Sequence, residues 1–222
     1  MKNNKTVIPI SCIVVLLCFA IVLAIPSSRE VFKTLSNTHP YIMGFIKFGL
    51  LATVGELLAI KLSTKEWKWP VCMVHRVVIW GLIGVAITYM MKCYTGGIIY
   101  LMGAGLLPGG ALLASGTFLG TLLKAFFIST TMNLTFGPTF MAFHKCSDKW
   151  LEFKAAGEKD TSIQHIVKDV NWGMFVSFTL FKTVPFFWIP AHTVTFILPA
   201  EYQVMVAATL SIALGIILSL KK

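Results

Sequence analysis

The chain reads as an all-α protein, a polytopic transmembrane helical bundle of about six spans with a Gly-rich broken or re-entrant segment. Three observations predict that class. Of 222 residues, 56% are hydrophobic and 13% charged, and the mean hydropathy is +0.79. A soluble domain of this length cannot hide so much apolar surface. Apolar runs of about 18 or more residues recur along the chain, the length that crosses a bilayer as a helix. The alternating apolar and polar strands of a membrane barrel are absent.

The elements follow in order. The first apolar run, Ile8 to Ile25, comes after Lys2 and Lys5. Its core is longer than a signal-peptide h-region and Val22-Leu23-Ala24 is a poor cleavage site, so it is expected to remain as an anchor. Pro26-Ser27-Ser28 ends it and opens a polar link to His39. Residues 1–31 are therefore expected to be an N-terminal anchor helix and linker, and residues 32–222 a transmembrane bundle.

The second span covers Tyr41 to Ile60. Gly49, Ala52, Glu56, Ala59 and Ser63 fall on one of its faces. Such a stripe lets a neighbouring helix approach closely or lines a cavity. Trp67 and Trp69, set among Lys65 and Lys68, are expected interface anchors. The third span is expected over Met73 to Met91 and opens with His75-Arg76.

Between Gly96 and Gly120 glycines crowd around Pro108, which weakens a continuous helix and predicts the broken segment. The fourth span is expected over Leu122 to Phe143, with Ser129, Asn133, Gly137, Phe140 and His144 on one face. From His144 to Asn171, five lysines (Lys145, Lys149, Lys154, Lys159, Lys168) alternate with acids, the pattern of a solvated loop or surface helix. The fifth span, Trp172 to Leu198, is interrupted by Lys182, Pro185 and Pro190. The sixth runs from Gln203 to Leu220.

The net charge is +10, but the cations sit in short loops, where positive-inside bias and anionic headgroups account for them better than nucleic acid does. With the N-terminus in the cytoplasm, Lys2, Lys5, Lys61, Lys65, Lys68, Arg76, the five loop lysines, Lys221 and Lys222 share the inner side. Six spans with both termini inside satisfy that asymmetry.

Five cysteines, Cys12, Cys18, Cys72, Cys93 and Cys146, form no Cys-x2-Cys pair and no His-flanked ligand set, so neither a disulfide framework nor a metal site is expected. His144 and His192, near span ends, read as interface or packing histidines. No P-loop, His-Glu-x2-His or Ser-His-Asp set is present, so the chain is not read as an enzyme and no cofactor is expected.

From Phe32 onwards the chain resembles the Mpv-seventeen / PMP-twenty-two family of small mitochondrial inner-membrane and peroxisomal proteins. The resemblance rests on His39-Pro40, Gly55-Glu56-Leu57-Leu58-Ala59, Arg76 at the head of the next span, Phe136-Gly137-Pro138, and Trp188-Ile189-Pro190 with Phe196, Leu198-Pro199, Tyr202-Gln203 and Leu218-Ser219. It departs from the family pattern at Met132-Asn133, Leu214-Gly215 and Gln203, and the first span and Gly-rich stretch are extra. The resemblance implies a membrane protein that forms a small-solute pore or supports membrane homeostasis. It suggests a distant, prokaryotic member in the plasma membrane, the organellar membranes being the alternative.

Glu56 is the one acid predicted inside a span, and an acid at the centre of a span is disfavoured by about 2.5–3.5 kcal/mol. Glu56 and Arg76 fall at similar depth below the inner interface, so adjacent antiparallel spans can pair them. Lys182 lies near mid-depth in the twice-broken fifth span, where it reads either as a cavity wall or as an ammonium balanced by freed carbonyls or by Glu56. Lys47 points away from Glu56 and is expected to snorkel outward. Candidate solute contacts are thus Glu56, Arg76, Asn133, Lys182 and Pro190. The expected partners are the lipid bilayer, a small anionic solute and, for assembly, a second copy of the chain. A non-transporting structural or interaction role in the membrane is the competing reading.

Overall fold

The computed structural model describes the backbone from residue 4 to residue 219 and side chains from residue 6 to residue 214. Lys2, Lys221 and Lys222, which carry part of the charge asymmetry, lie outside the described residues. Among the described residues every regular element is helical. Four helical stretches are long and apolar enough to cross a membrane: Thr6–Ala24, Pro40–Thr64, Met73–Gly103 and Trp172–Ile197. Phe118–Leu134 and Ala200–Leu214 are shorter apolar helices.

Prolines punctuate the start of the chain. Helix α1 (Asn4–Ala24) ends before Ile25, whose extended backbone (φ −82°, ψ 119°) suits a residue preceding proline. Pro26 then opens α2 (Pro26–Thr38), and Pro40 opens α3 (Pro40–Thr64). At a helix N-terminus the missing proline N–H costs nothing. The segment expected to be a polar link is therefore an amphipathic helix, with Phe32 and Ser36 buried and Glu30 exposed. By their internal contacts the residues separate into two compact units, Met1–Ala86 with Val204–Lys222, and Ile87–Gln203.

In the first unit α1 lies along α3, with Ile8 and Cys12 packed against Val54 and Leu57, and Trp67 and Met73 covering the cluster. The small-residue face of α3 meets the start of α4 (Met73–Gly103). A Cβ at Gly84 would strike the Gly44 carbonyl, so the two backbones touch there. On another side Gly55 packs against Ser211 of α11 (Ala200–Ser219). The stripe of Gly49, Ala52 and Glu56 is thus a packing face.

The third span is longer than the sequence suggests. It continues through Gly96 and Gly97 to Gly103 as one 31-residue helix. Ile87, Met91, Ile98 and Met102 are all buried at helical spacing. This continuous apolar face outweighs a glycine penalty of about 1 kcal/mol per residue. The break comes later, at residues 104–109, where Gly105 and Gly109 take positive φ. The short α5 (Gly110–Ala114) follows, then α6 (Phe118–Leu134), whose first N–H groups are capped by Thr117.

The fourth span is not a single helix. It divides at Thr135 into α6 and α7 (Phe136–Ala156). Pro138 explains the division: it has no N–H to bond the Leu134 carbonyl, and its ring would clash with that carbonyl in a continuous helix. The charged stretch carries the second half of α7 and the short α8 (Ile163–Asp169), consistent with a solvated surface helix. The fifth span opens with α9 (Trp172–Met174). It continues as a π-helical stretch, Phe175–Trp188, and closes as α10 (Ile189–Ile197), which Pro190 begins. In the second unit α6 packs along α10, burying Ala125, Ile128, Ser129 and Met132 on one side and His192, Thr195 and Phe196 on the other.

Candidate functional site

The ionisable centre of the first unit is built where α3 and α4 meet. α3 ends at Lys65, a left-handed residue (φ 61°) whose carbonyl accepts from Lys61 Nζ at 2.6 Å. The connection then returns the chain so that Arg76 sits in the first turn of α4. Its Nε donates to the Val71 carbonyl at 2.9 Å, which fixes the guanidinium. Nη1 reaches Glu56 Oε1 at 2.5 Å. The other carboxylate oxygen, Oε2, accepts from Trp80 Nε1 at 3.0 Å. The side chains of Arg76 and Glu56 are only 8% and 17% exposed. Both carboxylate oxygens therefore have donors, and the positive charge lies against its counter-charge. This is what a buried ion pair needs if its desolvation is to be offset. The pairing of Glu56 with Arg76 follows from their depth in the sequence. Trp80 does not, although its position one turn beyond Arg76 places it on the same face.

The second unit holds a different polar centre. Ser129, Asn133 and His192 are all buried. Asn133 Nδ2 donates to the Ser129 carbonyl at 2.8 Å, and the Asn133 amide lies 3.0 Å from His192 Nδ1. Ser129 Oγ donates to the Ile189 carbonyl at 2.7 Å, tying α6 to the start of α10. The His192 ring stacks on Trp188 at 5.4 Å and 21°. His192 was expected as a packing histidine, but its link to Asn133, 59 residues away, has no local sequence signal.

Lys182 and Pro190 join neither centre. Both are exposed on the surface of the chain. Lys182 carries no hydrogen bond or ion pair to a described residue. Within its own unit the expected balance by carbonyls freed by proline is not found among the described residues. Phe181 and Phe186 beside it are 71% and 81% exposed. Pro190 sits in the first turn of α10.

Lys47 corrects the sequence reading in the opposite direction. It does not snorkel. It is 3% exposed, its Nζ donates to Ser36 Oγ at 2.8 Å, and it lies 4.3 Å from the centroid of the Phe32 ring. The helix that buries it is α2, the segment that the sequence presents as a polar link. Cation–π attraction to a desolvated ring, about 2 kcal/mol, offers the compensation that open lipid would not.

Charge outside the spans behaves as in a soluble protein. Lys149 bridges Glu152 at 2.7 Å and Asp169 at 3.0 Å, linking α7 to α8. These hydrogen bonds, Glu152 first, raise its pKa above the usual lysine value. Among the described residues no group of three or more His, Cys, Asp or Glu could hold a metal ion. No protein-family model, no curated protein and no solved structure matches this chain.

Proposed function

We propose that the chain is an integral membrane protein whose intramembrane polar groups hold helices together, and that it serves a structural or membrane-homeostasis role without conducting solute. One observation carries this reading: both Glu56 oxygens are taken up by donors on α4. A carboxylate held in this way has its charge neutralised by Arg76 and its position fixed by Trp80, so it serves the helix contact first. Asn133 is committed in the same manner to Ser129 and His192. The resemblance to the Mpv-seventeen / PMP-twenty-two family implies a small-solute pore or a part in membrane homeostasis, and the second of these accords with this reading.

In this proposal six segments cross the bilayer: α1, α3, the first part of α4, α6, the Trp172–Ile197 stretch and α11. At 1.5 Å per residue the 17 residues of α6 span about 25 Å, enough at the lower limit of a crossing. Both termini and the α7–α8 segment then face the cytoplasm of a prokaryotic cell. A cysteine replacing Ala155 is expected to resist a membrane-impermeant maleimide in intact cells and to react after lysis. Labelling in intact cells would end the six-span arrangement.

The flux test is direct. Purified protein in liposomes is expected to release trapped chloride, phosphate and small carboxylates no faster than protein-free liposomes. A second reading, a small-anion pore formed on self-assembly, is favoured by the exposed Lys182, which bonds no described residue, on an apolar stretch. An anion flux that falls when Lys182→Met is introduced would establish that pore and displace the structural role.

A further inference from the structure

The first unit contains a groove of about 430 Å³ between α1, α2 and α3, within the size range of small-ligand sites, about 300–1,000 Å³. Its walls are apolar: Phe19 and Val22 from α1, Leu35 from α2, Ile46 from α3. Lys47 also lines it. We infer that this groove seats one acyl chain of an anionic phospholipid drawn from the bilayer, with the lipid phosphate attracted to Lys47.

Three features point to that occupant. Two walls are helices of membrane-spanning length, Thr6–Ala24 and Pro40–Thr64, so the medium that reaches the groove is lipid. The third wall, α2, is amphipathic: it buries Phe32 and Ser36 and leaves Glu30 exposed, as helices lying in the interface do. This sets the groove beside the headgroups. Ser36 and the Phe32 ring hold the Lys47 ammonium in place. A fixed cation in an apolar groove complements an anionic head joined to an apolar tail. A soluble anion would gain nothing from the walls, and a zwitterionic lipid would bring its own cation to Lys47. The inference concerns lipid capture alone and stands whether or not the chain conducts solute.

The test uses the full-length protein extracted in detergent, incubated with equimolar phosphatidylglycerol and phosphatidylcholine and examined by native mass spectrometry. Wild type is expected to retain phosphatidylglycerol over phosphatidylcholine by on the order of tenfold. Lys47→Gln should bring the two adducts to parity. Val22→Trp, which fills the groove, should remove both, while Lys182→Gln, which changes a cation elsewhere, should leave the preference intact. Equal retention of both lipids by wild type would overturn the proposal, as would a preference that survives Val22→Trp. If Lys47→Gln cannot be purified, Val22→Trp decides alone. A wild-type chain recovered from cells without detergent would defeat the membrane reading itself; a detergent-extracted chain that retains no anionic lipid would defeat only the groove.

Discussion

The two compact units hold their helices together with opposite kinds of polar centre. In the first, a full charge pair, Glu56 with Arg76, is closed by Trp80. In the second, Ser129, Asn133 and His192 are bonded through an amide, a hydroxyl and a ring nitrogen. The contrast shows how location along the chain limits what a helix contact can use. Arg76 sits in the first turn of α4 and Glu56 about two turns before the end of α3, where Val71 and Trp80 help carry the charges. The Asn133–His192 contact lies between α6 and α10, on buried faces that carry Ser129, Thr193 and Thr195 but no Asp, Glu, Lys or Arg. There an unpaired charge would have no nearby relief, and an amide with a ring gives direction with little desolvation.

Breaking each centre in turn tests that contrast, beginning with the largest effect. Arg76→Met leaves a carboxylate buried without its cation, and stability in detergent is expected to fall by about 3–5 kcal/mol. Glu56→Gln keeps a hydrogen-bonding oxygen and should cost less, about 1–3 kcal/mol. The exchanged pair, Glu56→Arg with Arg76→Glu, should recover part of the loss. If Arg76→Met melts with wild type, the first centre does not hold the helices.

In the second unit Asn133→Leu strands the buried His192 ring nitrogen, with an expected loss of about 1–3 kcal/mol. Adding His192→Leu should cost less than the sum of the two single changes, because no buried group is then left waiting for the other. Full additivity in thermal melts would mean that the 3.0 Å contact carries no coupling.

The pH dependence sharpens the comparison by locating titration outside both centres. The pKa of Lys149 is raised by Glu152 and Asp169, so its contribution to docking α8 on α7 is complete below the ordinary lysine value of about 10.4. It is lost as pH rises through the higher folded value. Hydrogen exchange of α8 amides, corrected for intrinsic rates, should rise in that window in wild type and not in Lys149→Met. The smallest effect is expected at Lys182. Exposed and bonded to no described residue, it should tolerate Lys182→Met within about 0.5 kcal/mol. A larger change would show that the lysine has a partner in the assembled protein.

Much of this architecture is legible in the residues. Runs of apolar length announce the helices, and Pro26, Pro40 and Pro190 mark where three of them begin. Pro138 also signals the break at Thr135, but the shared helical face of Asn133 and His144 outweighs it when the sequence alone is read. The Glu56–Arg76 pair is legible because depth is linear: at about 1.5 Å per residue, two residues near one turn must lie at one level.

What the sequence alone determines, then, is approximate depth, the helix starts that proline marks and the apolar character of each helix. Rotation about the helix axis was decided only by the tertiary structure. Lys47 is buried rather than snorkelled because α2 folds over it with Phe32 and Ser36. Lys182 faces outward along a π-helical stretch whose faces do not follow ordinary α-helical spacing. His192 finds Asn133 across 59 residues because α6 and α10 pack together. A helix carries its composition wherever it goes, but which side it turns to its neighbours depends on close packing among all of them.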